Sequence, residues 1–220
     1  MIVARHQCWA HILFRPYLRS LIRRRFHALH LLDAIPFIPE SLPILLLPNH
    51  SSWWDGFIPY LLNDICWQRE YYIMMLEHRL REFWFFRFLG AFSINQQSPK
   101  DILQALDYAA HLLSGKRLVV LFPQGKLLPS RKRPLGYHRG VERILQRCIT
   151  SERSVAILPL AMRYEFLGDE KPHIFLLFGS PIVLPESAPP TAHELEYIEI
   201  LLLSNLEDRI AHGEQGTIVF

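Results

Sequence analysis

Apolar residues along the chain are grouped in two patterns that alternate with each other. Short runs that are almost wholly apolar predict strands buried on both faces, and they lie at residues 43–48, 71–75, 117–122, 155–158 and 174–178. Longer stretches with helical character lie between or after these runs, at residues 55–65, 98–115, 138–149 and 191–212. This alternation predicts a single α/β domain with a mixed, mostly parallel sheet flanked by helices.

Polar residues fix the ends of two of these helices. Ser98 is suited to cap the helix that follows it, and Gly115 is suited to end that helix. Thr191 and Glu194 have the spacing of a capping box, which predicts the start of the last helix. Residues 185–190 include three prolines and are predicted to form a loop.

Residues 9–32 are predicted to form an amphipathic helix with a basic face. Arg15, Arg19 and Arg23 recur at a spacing of four, and aromatic residues suited to a water–lipid boundary accompany them. Pro16 is expected to kink this helix or to mark where its regular part begins. Two interpretations stay open: the helix rests on a membrane surface, or it is an ordinary surface helix docked on the core.

Composition narrows the class of protein. The chain has 220 residues, half of them apolar, and a formal net charge of only +3, which does not favour a nucleic-acid partner. Its three cysteines are scattered, so we expect no disulfide framework, no zinc site and a reducing compartment. We expect no secretory leader and no spanning helix. We therefore divide the chain into a membrane-facing N-terminal segment, 1–35, and a globular domain, 36–220.

His50 and Asp55 are the strongest candidates for chemistry. They directly follow the apolar run that ends at Leu47, and sites in α/β sheets gather at the carboxyl ends of strands. If the chain turns between them, the carboxylate can orient the imidazole and stabilise the imidazolium that forms when His50 takes a proton. The other interpretation is a loop histidine followed by an aspartate that caps a helix.

Three further segments near predicted strand ends support the catalytic interpretation. They are residues 90–94, 122–125 and 158–161, with the sequences GAFSI, FPQG and LPLA. Together with the sequence NHSSWWD at 49–55, they make the chain resemble the glycerolipid acyltransferase family that includes bacterial 1-acylglycerol-3-phosphate acyltransferases. The resemblance covers roughly residues 40–185 and implies that 36–220 is an acyltransferase domain.

The resemblance implies a reaction without a cofactor or metal. A thioester donor, acyl-CoA or acyl carrier protein, gives its acyl group to a hydroxyl of a lipid acceptor. During this transfer, His50 deprotonates the hydroxyl and Asp55 supports His50. Backbone N–H groups around Gly125 are candidates for stabilising the carbonyl oxygen. Ser51, Ser52 and Cys66 are alternative nucleophiles for a covalent route.

Two motifs depart from the family pattern, and the arginine positions among these departures hold the acceptor phosphate in the relatives. Gln96 stands where the family has an arginine, and the third motif has Gln124, Lys126 and Leu127 in place of Glu, Thr and Arg. In one interpretation, Lys126 or a cation of the run 131–133 holds the phosphate from a new position. In the other, the acceptor carries no phosphate there, and could be a glycolipid, a terpenoid glycoside or another neutral alcohol. We favour the second, with Gln96 and Gln124 bonded to acceptor hydroxyls. The run 131–133 is then a solvated loop.

The expected substrate-contact residues all belong to these motifs and their surroundings. They are Asn49, Gln96, Phe122, Pro123, Gln124, Gly125, Lys126 and Arg131.

The aromatic stretch 83–89 is predicted to be core, with an acyl channel or a lipid contact as the alternatives. We expect a protein peripheral to the inner, cytoplasmic face of the membrane. The rival functions are a thioesterase and a non-catalytic lipid-binding protein.

Overall fold

The predicted strands assemble into one mixed sheet with a parallel centre. The computed structural model describes residues 1–185 and 188–219, and residues 186 and 187 of the predicted loop lie outside the described part. The order in the sheet is β4-β3-β5-β2-β6-β7-β1-β9, with β8 also paired to β6. The described strands are β1 (Leu29–Leu31), β2 (Ile44–Pro48), β3 (Glu70–Leu76), β4 (Ala91–Ile94), β5 (Arg117–Val120), β6 (Val155–Glu165), β7 (His173–Phe178), β8 (Ile182–Leu184) and β9 (Thr217–Ile218).

Strands β4, β3, β5, β2 and β6 are parallel to one another, which confirms the predicted fold class. Strands β7 and β8 both run antiparallel to β6, because β6 is long enough to pair with each along a different half. Apolar side chains cover both faces of the sheet and form separate cores on the two sides.

Helices cover both faces of this sheet. One face packs against α1 and α2, and the other packs against α4, α5 and α6. No described helix has both the length and the apolar character needed to cross a membrane. The described α-helices are α1 (Cys8–Arg25), α2 (Ile58–Leu62), α3 (Glu77–Glu82), α4 (Pro99–Leu112), α5 (Gly140–Thr150) and α6 (Ala192–Ala211).

The predicted caps of α4 and α6 are both present. The Oγ of Ser98 accepts a hydrogen bond from the backbone N–H of Asp101, at 3.3 Å. The Oγ1 of Thr191 accepts from the N–H of Glu194, whose carboxylate in turn accepts from the N–H of Thr191. These bonds pair backbone donors that the first turn of a helix leaves unpaired, so local sequence alone fixes where the two helices begin.

The N-terminal helix is shorter than predicted. It ends at Arg25 instead of continuing to residue 32, and it passes through Pro16 without interruption. The chain then becomes extended, and Leu29 and its neighbours form β1, which pairs with β7 in parallel register. The apolar residues that the helical pattern assigned to the last turns are instead buried in the sheet. A long-range pairing has therefore overridden the local periodicity.

Glu199 is a fully buried carboxyl group on α6. Neither of its oxygens has a hydrogen-bond partner among the described residues, and its charge acts on the buried phenol group of Tyr137. Burial raises its pKa from the ordinary 4.5 to about 8, with opposing contributions from Arg163 and Arg133. The side chain is therefore neutral in the folded protein at neutral pH. Because the same carboxyl is ionised in the unfolded chain, the free energy of unfolding decreases as the pH rises.

We expect Glu199→Gln to make the stability less dependent on pH. Because the folded pKa of about 8 lies above the ordinary 4.5, the free energy of unfolding falls as pH rises between these values, by on the order of 3 kcal/mol up to pH 7. Urea unfolding at pH 5 and pH 8 measures this fall, and the exposed Glu170→Gln is the matched control. An equal fall in Glu199→Gln and the wild type would contradict the assignment.

Candidate active site at the carboxyl end of the sheet

The loop after β2 carries His50 to the carboxyl edge of the parallel strands. Ser52 then caps a 3₁₀ turn, Trp53–Gly56, with its Oγ accepting from the N–H of Trp54 at 3.2 Å. In the same capping box, the carboxylate of Asp55 accepts from the N–H of Ser52 at 2.8 Å. This turn points the Asp55 side chain back toward the loop, which is why a carboxylate five positions away reaches the imidazole.

His50 and Asp55 are hydrogen bonded, as the spacing predicted. The Nδ1 of His50 donates to Oδ2 of Asp55 at 3.0 Å, and the same oxygen accepts from the N–H of Ser51 at 2.6 Å. The carboxylate is completely buried, while the imidazole is about one-fifth exposed. A carboxylate only accepts hydrogen bonds, so the proton of neutral His50 lies on Nδ1 and the lone pair lies on Nε2. The imidazole is therefore arranged to act as a base through Nε2.

Tyr164 completes the support of this pair and was not anticipated from the sequence. Its hydroxyl donates to the second carboxylate oxygen of Asp55, Oδ1, at 2.6 Å. Burial, and then the charge of Asp55, raise the pKa of Tyr164 well above its ordinary value, so the phenol remains a donor. No local pattern marks it, because Tyr164 lies 109 positions from Asp55 and beyond residue 158, where the predicted strand ended.

The third motif of the family resemblance, which begins with the sequence FPQG at 122–125, lies directly against the His50 loop. The ring of Phe122 stacks on the imidazole, with ring centres 4.2 Å apart. The side-chain oxygen of Gln124 accepts from the backbone N–H of His50 at 2.5 Å, and the N–H of Leu128 donates to the carbonyl of His50 at 3.0 Å. The motif therefore holds the His50 loop in place from a distant part of the chain.

Two predicted substrate contacts have structural roles instead. Gln124 is buried and bonded to the backbone of His50, so it is not available to acceptor hydroxyls. Asn49 is also buried, and its amide bonds the N–H and the carbonyl of Met162 on β6, at 2.7 and 3.2 Å. Both amides satisfy backbone groups that loop formation would otherwise leave unpaired in the interior.

Among the backbone N–H groups around Gly125 that were predicted to stabilise the carbonyl oxygen, that of Gly125 itself is not available. Its N–H donates to the carbonyl of Phe122 at 3.0 Å, so this group is already used. Its φ of +65° is in the left-handed region, and an added Cβ would lie 2.8 Å from His138 and 2.9 Å from Gln96. Glycine is required here by backbone conformation and by close packing.

Cys66 is unsuited to be a nucleophile. Burial raises the pKa of its thiol, whereas nucleophilic cysteines have a lowered pKa. Within the described chain, the histidine and aspartate of the first motif remain the groups best arranged for catalysis.

A large apolar cavity opens beside His50. Its volume is about 620 Å³, and its walls come from both hydrophobic cores, since it lies across the carboxyl edge of the sheet. Among the predicted contact residues, Gln96, Phe122, Pro123, Gly125 and Lys126 line it. Arg131 is not among the lining residues and lies on an exposed loop.

The aromatic stretch 83–89 serves both the core and the cavity. Phe83, Phe86 and Leu89 line the cavity, and Phe86 also packs against the core formed with α1 and α2. Trp84 is exposed instead. The alternatives of core, acyl channel and lipid-facing surface therefore apply to different residues of one segment.

The site therefore places an imidazole, oriented by a buried carboxylate, at the wall of a large apolar cavity. A family model described as Acyltransferase matches residues 32–163, and the chain belongs to this family. The protein is therefore an acyltransferase, as the sequence motifs predicted.

One solved structure shares the fold over most of its length. It is the crystal structure of the 1-acyl-sn-glycerophosphate (LPA) acyltransferase, PlsC, from Thermotoga maritima, with 17% sequence identity and a TM-score of 0.58. The match covers 90% of this chain and 78% of that chain. A comparison with curated proteins gives no match.

Proposed function

We propose that this enzyme transfers a fatty acyl group from acyl-CoA or acyl carrier protein to a hydroxyl of a lipid acceptor, with His50 as the general base. The main support for the proposal is that His50 lines the apolar cavity while its Nδ1 is hydrogen bonded to the buried carboxylate of Asp55. In the reaction, Nε2 takes the proton of the acceptor hydroxyl as its oxygen attacks the thioester carbonyl. The C–S bond then breaks, and the thiolate leaves with a proton returned by the imidazolium.

The cavity supports a long-chain acyl donor. Phenylalanine, tyrosine, methionine, leucine and isoleucine side chains make most of its wall, so a fatty acyl chain would exchange water for apolar surface along its length. A cavity next to the base also keeps water from the thioester, which favours transfer over hydrolysis. The family and the cavity together favour a transferase over the thioesterase alternative.

The charges around the cavity favour an acceptor without phosphate. Of the cations considered as replacements for the missing arginines, only Lys126 lines the cavity. Arg133 is paired with Glu207, and Arg131 and Lys132 are exposed on the loop. Arg79 also lines the cavity, but it is paired with Glu82 at 2.8 Å. A single flexible lysine lacks the planar fork with which arginine binds phosphate in two bonds.

The outer face of α1 supports contact with a membrane surface. Trp9, Ile12, Leu13 and Tyr17 are each about half exposed or more, and Trp84 lies exposed next to them. Large apolar and amphipathic aromatic side chains of this kind suit the boundary between water and lipid. Arg23, Arg24 and Arg25 in the last turn add a positive charge that attracts anionic lipid.

This apolar surface lies close to the active-site cavity. A hollow lined by Leu13, Tyr17 and Trp84 shares Phe14, Phe83 and Phe86 with the wall of the cavity. Lipid substrates would therefore enter from the bilayer side. We propose a peripheral enzyme at the cytoplasmic face of the membrane.

A matched pair of acceptors tests the proposal. Lysophosphatidate and the monoacylglycerol with the same acyl chain differ only by the phosphate. With labelled acyl-CoA or acyl carrier protein, we expect kcat/KM for monoacylglycerol or a neutral glycolipid to equal or exceed that for lysophosphatidate. Labelled product is separated from free fatty acid, which measures hydrolysis.

Each alternative outcome has a distinct meaning. Turnover of lysophosphatidate alone, with a KM that rises in Lys126→Ala, would show that Lys126 holds a phosphate and would overturn the preference for a neutral acceptor. Free fatty acid released regardless of acceptor would identify a thioesterase. Lipid binding without turnover of any acceptor would identify a binding protein.

A further inference from the structure

A cluster of histidines lies two strands away from the catalytic pair and takes no part in acyl transfer. His27 follows α1, Asp169 lies in the turn between β6 and β7, and His173 begins β7. The Nδ1 of His27 is 3.4 Å from Oδ1 of Asp169, and the Nε2 of His173 is 2.9 Å from Oδ2 of the same carboxylate. All three ligand atoms lie within 4.8 Å of one another.

These separations match the spacing of ligands around a bound metal ion. Zinc binds histidine nitrogen and carboxylate oxygen at about 2.0–2.2 Å, so its tetrahedral ligands lie about 3.3 Å apart. The two measured separations, 2.9 and 3.4 Å, lie on either side of that value. Two imidazoles and one carboxylate form a donor set that zinc and similar divalent transition metals prefer.

A buried hydrogen-bond chain behind His173 supplies a second, independent observation. The Nδ1 of His173 is 2.8 Å from Nε2 of His30, whose Nδ1 is 2.8 Å from the backbone carbonyl of Gln215. His30 and His173 are 1% and 4% exposed, so water does not complete their bonding. Stacking of His30 on Phe175, with ring centres 4.5 Å apart, fixes its ring orientation.

The protons of this chain can be assigned from the acceptors at its two ends. The carbonyl of Gln215 can only accept, so the Nδ1 of His30 carries a proton and donates to it. A neutral His30 then accepts at Nε2 from the Nδ1 of His173. The other nitrogen of His173, Nε2, points at the carboxylate of Asp169, 2.9 Å from Oδ2.

The hydrogen-bond chain uses Nδ1 of His173 and leaves Nε2, beside the carboxylate of Asp169, as the nitrogen that can bind a metal ion. The chain from His173 through His30 to the carbonyl of Gln215 is then the kind of outer-shell support that orients metal-bound histidines.

We propose that His27, Asp169 and His173 bind one divalent transition metal ion of the zinc class, with the remaining coordination position open to solvent. His27 and Asp169 are exposed at the surface, which gives the ion a path of entry. The rings of His27 and His173 are stacked with centres 4.6 Å apart. A turn of the exposed His27 ring would let both imidazoles reach one ion.

The ion would act as a structural clamp. It would join the chain after α1 to the β6–β7 hairpin, where Tyr164 pairs with Ile174 and the backbone N–H of His27 already donates to the carbonyl of Pro172 at 2.9 Å. No member of the cluster lines the active-site cavity, so the ion has no part in acyl transfer. We predicted no metal site from the sequence. His27 is far along the chain from Asp169 and His173, and the three ligands are brought together only by the pairing of distant strands.

Calorimetric titration of the untagged, chelator-treated protein with Zn²⁺ tests the proposal. We expect one equivalent to bind, the melting temperature to rise by about 5 °C at saturating metal, and bound Co²⁺ to show the intense visible absorption of a low-coordinate ion. In His27→Ala and Asp169→Asn, we expect affinity to fall more than about 100-fold. Both substituted residues are exposed, so both variants should fold. His193→Ala, another exposed histidine, is the matched control and should bind as the wild type does.

Two outcomes would overturn the assignment. Unchanged binding in both cluster variants would place the metal elsewhere, for example on the exposed Cys8. Absence of binding by the wild type would show that a proton, shared between His173 and Asp169, is the cation that completes the chain.

Discussion

Replacement of His50 by alanine is expected to lower kcat by about 10²- to 10⁴-fold, the range in which general-base catalysis contributes to enzyme rates. The Nε2 of His50 is the unprotonated nitrogen of the pair, and the imidazole lines the cavity. Without it, the acceptor hydroxyl must lose its proton to water, which is a weaker base. Transfer of a labelled acyl group to the preferred acceptor measures the loss.

The folded structure should survive this replacement. The carboxylate of Asp55 keeps three hydrogen bonds, from the N–H groups of Ser51 and Ser52 and from the hydroxyl of Tyr164. His111→Ala, an exposed histidine on α4, is the matched control and should retain normal turnover. Transferase activity near that of the wild type in a folded His50→Ala protein would refute the proposed mechanism.

Asp55→Asn is the second variant with a large expected effect, and it tests charge separately from geometry. The amide oxygen can still accept from His50, Ser51 and Ser52, and the amide nitrogen can donate to the hydroxyl of Tyr164. What disappears is the negative charge that stabilises the imidazolium formed when the acceptor hydroxyl is deprotonated. We expect kcat to fall by about 10²-fold or more, with a smaller change in KM.

Tyr164→Phe provides the graded comparison for this variant. It removes one hydrogen bond to Asp55 but leaves the charge, so we expect roughly a fivefold loss of kcat, equivalent to about 1 kcal/mol. Thermal unfolding of both variants separates lost stability from lost activity. An Asp55→Asn protein that is folded and as active as the Tyr164→Phe protein would show that charge behind the imidazole is unimportant.

The contact between His50 and Asp55 could be predicted from the sequence because both residues lie on one short segment. A strand that ends at Pro48, a capping serine at position 52 and a tight turn determine where the Asp55 side chain points. The same locality explains why the caps of α4 and α6 were predicted correctly. Each of these features depends on hydrogen bonds between residues within a few positions of one another.

The buried polar residues around the site were harder to assign. Asn49 and Gln124 belong to motifs that also carry catalytic and cavity-lining residues, so all were expected to contact substrate. Their side chains instead bond backbone groups of Met162 and His50. A polar residue in a motif can serve either role, and only its burial and its partners in the folded chain distinguish them.

By itself, the sequence determined the α/β class, the starts of two helices, and the contact of His50 with Asp55, because these follow from apolar periodicity and short-range hydrogen bonding. Only the tertiary structure decided that the chain after Arg25 becomes a strand, that Tyr164 supports Asp55, and that His27 approaches Asp169 and His173. These depend on the long-range register of β1, β6 and β7. Register is set by the burial of whole strand faces, and no local stretch of sequence contains that information.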